Sequence, residues 1–297
     1  MIRKNLVIVR AGKNSLHSNW LDAFAPRNWD LIVSLYDESN YEALADEKVI
    51  RVAGGKFDGL YKTIGSFDNL LAAYDFVWLP DDDILTCQND INRLFLLMKD
   101  YELAVAQPSL NWDSYYSILL TMNSPSFKLR YVTFVEVMVA CLRTDLLQKI
   151  LPDFENNMTL WGMDAIWCRL EDDNFRRSAI IDDIKVQHTR PVGQVLAASA
   201  SSSGHNTLAE MQKLLAKYGV TESFADLMRS YEGIYVNGKN SKSEILLQLI
   251  WLFDMLKFAI LAKNNPIKVN RIFSRLRKLF VKCFGRKSSL TKLRKVS

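Results

Sequence analysis

Five short apolar runs, with helical stretches set among them, constrain this chain more than any other feature. Leu6–Arg10, Trp29–Tyr36, Lys48–Val52, Phe76–Leu79 and Leu103–Ala106 are too short for buried helices and rich in branched and aromatic residues. That is the pattern of buried strands. Leu60–Tyr74 and Ile91–Lys99 carry apolar residues at helical spacing instead. Strands alternating with helices predict an α/β fold, a mainly parallel sheet covered on both faces.

The run Phe76–Leu79 ends on Pro80, which cannot continue a hydrogen-bonded ladder. Asp81, Asp82 and Asp83 follow side by side. In an open α/β sheet, ligands bind beyond the carboxyl ends of the strands. Three carboxylates there repel one another unless a cation joins them. Mn²⁺ or Mg²⁺ suits oxygen ligands of this kind. The competing reading is a cap for the helix that starts near Cys87–Asp90.

The rest of the chain is weighed against that strand end. At 297 residues it can bury a sizeable core. The four cysteines are scattered without zinc spacing, so reduced thiols in a cytosolic protein are expected. Leu6–Val9 is too short for a signal peptide's apolar core. No glycine-rich phosphate loop and no GxSxG motif is present, and Gly54-Gly55-Lys56 reads as a turn.

In the second half, Gln107–Ser117 is a polar, aromatic stretch in which Trp112 and Tyr115 either stack on a sugar or base or pack in the core. Arg130–Met138 reads as a long strand with one acid, Glu136, among apolar residues. A buried glutamate needs either a function or a salt-bridge partner. Gly162 permits a turn, and Asp164 opens a helix running through Trp167 and Leu170, as a cap or as a general base. Ser178–Gln187 reads as the last sheet strand. His188, just past it, is either structural or a neutral nitrogen ligand.

The charge is uneven. From Lys263 onward there are twelve Lys or Arg and no acid, so the 26 bases and 33 acids of residues 1–262 leave that part near −7. Ala197–Gly204 is small and serine-rich, as linkers are. Leu208–Tyr218 and Glu222–Ser230 read as helices. Glu244–Ala262 is strongly apolar, but Gln248, Asp254 and Lys257 argue against a membrane span. Lys268–Phe284 has the spacing of a basic amphipathic helix, which lies in a membrane interface. An anionic membrane surface is the partner expected for residues 245–297, and nucleic acid is not. The expected location is cytoplasmic, peripheral on the membrane's inner face.

Taken together, these pieces resemble a GT-A glycosyltransferase. The strand ending in Asp81-Asp82-Asp83 resembles that fold's DxD signature. Trp161-Gly162-Met163-Asp164 is similar to the segment that supplies the base in inverting members. His188 resembles the histidine that completes the metal shell. The chain also resembles an uncharacterised group placed with GT-A enzymes, the domain-of-unknown-function family 707. The matching blocks are Leu6–Gly12, Trp78–Ile84, Ala106–Ser109, Phe134–Glu136, Trp161–Asp164 and His188–Gly193.

The resemblance implies a catalytic domain over residues 1–195; the sequence beyond it reads as a mobile loop with short helices over 196–240 and an amphipathic basic helical tail over 241–297. It implies Mn²⁺ or Mg²⁺ on Asp81, Asp83 and His188, with Asp164 as the base. A nucleotide-sugar donor is expected near Arg10, Lys13, Asp37, Lys56, Lys62 and Asp82. A glycan or glycolipid acceptor is expected near Trp112, Tyr115, Glu136 and Trp161. The implied reaction is inverting glycosyl transfer in cell-surface glycan synthesis. A non-catalytic nucleotide- or sugar-binding protein and a nucleotide-sugar hydrolase are the other readings.

Overall fold

The computed structural model describes residues 3–191 except 39, 45, 158 and 171–176, and then residues 206–222 and 227–261. Its centre is one sheet. The strands are β1 (Asn5–Ala11), β2 (Trp29–Leu35), β3 (Glu47–Arg51), β4 (Phe76–Trp78), β5 (Ile84–Leu85), β6 (Val105–Leu110), β7 (Phe127–Val132), β8 (Cys141–Arg143), β9 (Ser178–His188), β10 (Ser230–Tyr235) and β11 (Asn240–Ser241). They lie in the order β11-β10-β7-β9-β6-β8-β4-β1-β2-β3, with β5 against β9. The four strands β4-β1-β2-β3 are wholly parallel, and β6 runs parallel to β9; β7, β8 and β11 oppose their neighbours. Most strands therefore share one direction, as the strand–helix alternation predicts.

Both faces are covered, which is why the N-terminal strands read as unbroken apolar runs. Along β1, Val7 and Val9 join one core while Leu6 and Ile8 join the other. The first core is closed by α2 (Gln88–Asp100) through Ile91, Leu94, Phe95 and Met98. The second is closed by α1 (Lys56–Gly65) and α3 (Thr144–Ile150) through Phe57, Leu60, Leu146 and Leu147. Three further helices are α4 (Met163–Ile166), α5 (Thr207–Lys217) and α6 (Glu244–Leu261).

Several expectations are corrected. The helix expected over Leu60–Tyr74 stops at Gly65. Asn69 takes a left-handed φ of 50°, and a 3-10 turn at Leu70–Ala73 follows. The strand expected over Arg130–Met138 ends at Val132, because the next backbone donors leave the ladder. Val135 N–H goes to the Asp164 carbonyl, Glu136 N–H to Gln107 Oε1 and Val137 N–H to Asp164 Oδ1. The helix from Asp164 is only the single turn α4. Ser178–His188 is not the last sheet strand, because β10 and β11 extend the same sheet. Where a helix was expected up to Ser230, that residue begins β10. The expectations for Ala197–Gly204 and Lys268–Phe284 fall outside the described residues. Among those residues no helix is long and apolar enough to cross a membrane.

A candidate metal centre at the end of β4

The sheet brings the aspartate triplet and the histidine together through one small pairing. Past Pro80 the chain turns and enters β5, whose Ile84 pairs with His188 of β9. One residue before Ile84 stands Asp83, so its carboxylate meets the imidazole. His188 Nε2 lies 3.1 Å from Asp83 Oδ2. Ligand atoms of Asp81, Asp83 and His188 all lie within 4.8 Å of one another. His188 Nδ1 is 2.8 Å from the Tyr115 carbonyl. A carbonyl only accepts, so Nδ1 carries the proton and Nε2 presents its lone pair to the carboxylates when the ring is neutral. Although burial opposes protonation, the bond and charge of Asp83 raise the imidazole's affinity for a second proton.

The donor set suits a hard divalent cation: two carboxylate groups, one neutral nitrogen and a rigid support. A further observation fits it. Asp83 Oδ1 is buried and has no hydrogen-bond partner, which is costly for an ionised oxygen without a counter-ion. Asp81 is partnered by Lys56, at the first turn of α1, with Nζ 2.5 Å from Oδ1 and 2.8 Å from the Val137 carbonyl.

Asp82 points elsewhere. Its Oδ2 accepts from Gly12 N–H and the Tyr36 hydroxyl, each at 3.1 Å, and its Oδ1 from Arg190 at 3.0 Å. Its carboxyl pKa is raised, by burial first, against the lowering effects of Gly12 N–H and Arg190. The middle aspartate thus ties together the ends of β1 and β2 and the segment after β9. Gly12 is needed at this junction, since a Cβ there would come 2.4 Å from the Tyr36 hydroxyl oxygen.

Two more buried acids stand beside the cluster. Asp164 receives Val137 N–H at 2.8 Å on Oδ1 and Gly162 N–H at 3.3 Å on Oδ2. Burial pushes its pKa up to about 6 against those donors. Glu136 is 8% exposed, and its Oε2 has no partner. Burial raises its pKa to about 8, with the Asp164 charge second and smaller effects from His188 and Asp81. The competing salt-bridge reading of Glu136 finds no cation paired with it among the described residues.

The other expected site residues scatter. Arg10 is buried, donating to Ser34 Oγ at 2.7 Å and the Gly54 carbonyl at 2.9 Å, beneath Gly59 of α1. Lys62 pairs with Asp58 at 2.6 Å on the exposed side of α1. Trp112 stacks on Phe258 of α6 at 4.3 Å, which is the packing alternative. Tyr115 and Trp161 have half-exposed rings. Lys13 is exposed, and its N–H donates to Asp37 at 2.9 Å.

Sequence reasoning missed a cavity of about 220 Å³ beside that pair, lined by Lys13, Ser15, His17, Asn40, Tyr41 and Glu42 among others. Ser15 Oγ, His17, the Tyr41 hydroxyl and Glu47 form a hydrogen-bonded chain along its wall, with links of 2.6–2.7 Å. Arg190 was also missed as a site residue. Its place in the block His188–Gly193 is the signal that could have suggested it.

No family model matches the chain, and no curated protein matches it. Among solved structures, it is similar to S. aureus TarS at 14% identity and a TM-score of 0.41, over 74% of this chain and 44% of that one. For TarS 1–349 the values are 14% and 0.46, over 86% and 80%. For a mycobacterial protein they are 13% and 0.43, over 74% and 76%. The chain thus spans less than half of the longer TarS chain, and no activity follows from these likenesses.

Proposed function

We propose that this protein is a metal-dependent glycosyltransferase that moves a sugar from a nucleotide-diphosphate donor to a hydroxyl of a glycan or glycolipid. The observation that carries the reading is the convergence of Asp81, Asp83 and His188 at the carboxyl end of β4, with ligand atoms within 4.8 Å. The resemblance to GT-A enzymes supports the same reaction class, and cell-surface glycan synthesis is the setting that this resemblance and the basic tail suggest.

In this reading Asp81, Asp83 and His188 hold Mn²⁺ or Mg²⁺. Bound there, the cation supplies charge neutralisation for a departing diphosphate. Lys56, tethered by the Val137 carbonyl, keeps a second positive charge beside Asp81. Asp164 takes the proton of the acceptor hydroxyl. Its Oδ2, with one long bond at 3.3 Å, is the oxygen free to do so. Attack opposite the leaving group gives inversion. Glu136, protonated near neutral pH, donates from its unpartnered Oε2 to a sugar oxygen. Two neighbouring acids with separated pKa values are the usual mark of an acid–base site, which favours catalysis over simple binding. The cavity beside Lys13 and Asp37 takes the nucleoside. The hydrolase reading differs only in the nucleophile and is separated by whether product requires an acceptor.

The deciding measurement is a thermal-shift panel of nucleotide diphosphates and nucleotide sugars, with and without Mn²⁺, on wild type and Asp83→Ala. A ligand at 100 times its dissociation constant stabilises the native state by about 2.7 kcal/mol. One nucleotide should stabilise the wild type only with Mn²⁺, and the variant not at all. No response to any nucleotide refutes the reading.

A further inference from the structure

Helix α6 is apolar on two sides. Leu247, Trp251 and Met255 are buried against the sheet, and buried Asp254 accepts from the hydroxyls of Ser124 and Ser126. That face is firmly seated. The opposite face presents Ile245, Leu249 and Phe253, spaced one turn apart, with Leu246 beside them. They are 64, 52, 58 and 45% exposed. Four large apolar side chains in a row on the solvent side of a packed helix call for a partner.

The charge around the stripe selects that partner. Exposed Lys242 and Lys257 stand at its two ends, and the Lys257 ammonium lies 4.5 Å from the centre of the Phe253 ring. The one exposed acid of the helix, Glu244, is nine residues from Phe253 and so on the other side of the axis. Beyond the helix the sequence continues with twelve Lys or Arg and no acid from Lys263 onward. Stable attachment to a lipid surface takes two signals, inserted apolar groups and basic residues near anionic headgroups. The stripe supplies the first and the following sequence the second.

We propose that the solvent face of α6 docks on an anionic lipid surface. On the seated face of this helix Trp112 stacks on Phe258, and three residues further on the Tyr115 carbonyl orients His188. Docking of the helix is therefore coupled to the loop that holds the histidine, and on the transferase reading a lipid-linked hydroxyl is the acceptor to test.

The test is co-sedimentation of the full chain with vesicles of phosphatidylcholine alone and of phosphatidylcholine mixed with phosphatidylglycerol. Wild type should pellet with the mixed vesicles only. Leu249→Ser/Phe253→Ser should weaken that binding at least about tenfold, with Tm and circular dichroism unchanged. Ile245→Ser, in the first turn, serves if the double variant does not fold. Unchanged binding by the variants overturns the proposal, because the basic C-terminal sequence alone would then account for it. So does a wild type that ignores both vesicles, or that forms a dimer abolished by the same substitutions. The nucleotide thermal shift is read without vesicles, so failure of docking and failure of the transferase reading are told apart.

Discussion

Asp164 and Glu136 are two carboxyl groups in one water-poor place, and their environments set them apart. Asp164 keeps two backbone N–H donors and rises only to about 6, whereas Glu136 has a partnerless oxygen and rises to about 8. A base must be ionised to accept a proton, so transfer should fall as pH drops through about 6, with the loss following a single protonation. Asp164→Asn should lower the transfer rate about 10²–10⁴-fold and leave nucleotide binding in place. Stability runs the other way. The folded pKa lies above the ordinary value of 3.8, so the native state holds the proton more tightly than the unfolded chain does. Its contribution is therefore present at low pH and lost between about pH 4 and 6. Above pH 6 the variant should melt higher than wild type, and below about pH 4 it should show no gain. A variant that melts at the wild-type temperature at every pH, or that retains turnover, would remove Asp164 from this role.

At the scale of elements, the site depends on loops tied by groups distant in sequence. Asp82 is flanked by two proposed ligands yet binds Gly12, Tyr36 and Arg190, the last 108 residues away. Arg190→Ala should loosen that knot and weaken Mn²⁺ binding about 10–100-fold, as loss of outer-shell support generally does. Calorimetric titration with Mn²⁺ in the absence of nucleotide reads the change directly; an unaltered affinity would leave Arg190 a surface tie. The sequence carried the strand ending in carboxylates, the histidine and the Gly162 turn, because each is a local pattern. It did not show that the middle aspartate faces away, that Arg10 is buried under α1, or that the strand through Glu136 breaks at Val132. Those outcomes rest on partners from other elements, such as Gln107 for the Glu136 amide, which no local spacing encodes.

For the whole molecule, the cluster's charges are met in part by the protein itself. Lys56 faces Asp81, and buried His188 faces Asp83, whose second oxygen has no partner. Chelation by EDTA should therefore abolish transfer while leaving the protein folded. Unfolding on chelation would mean that the ion is structural. The proportions of the sheet were legible from its apolar runs, but its C-terminal margin was not, since β10 mixes Ser230, Glu232 and Gly233 with its few apolar residues and β11 is only two residues long. One feature of that sheet reaches beyond the site. The eleven residues of β9 are flanked by β6, β7 and β5, and its Asp182 is locked to Arg130 at 2.7 Å. Amide protons along it escape to deuterated solvent only when neighbouring strands on both sides open, so they should be among the last to exchange. The histidine of the cluster is thus carried at the end of a strand held from both sides, with its N–H and Nδ1 fastened to Ser114 and Tyr115 of the loop after β6.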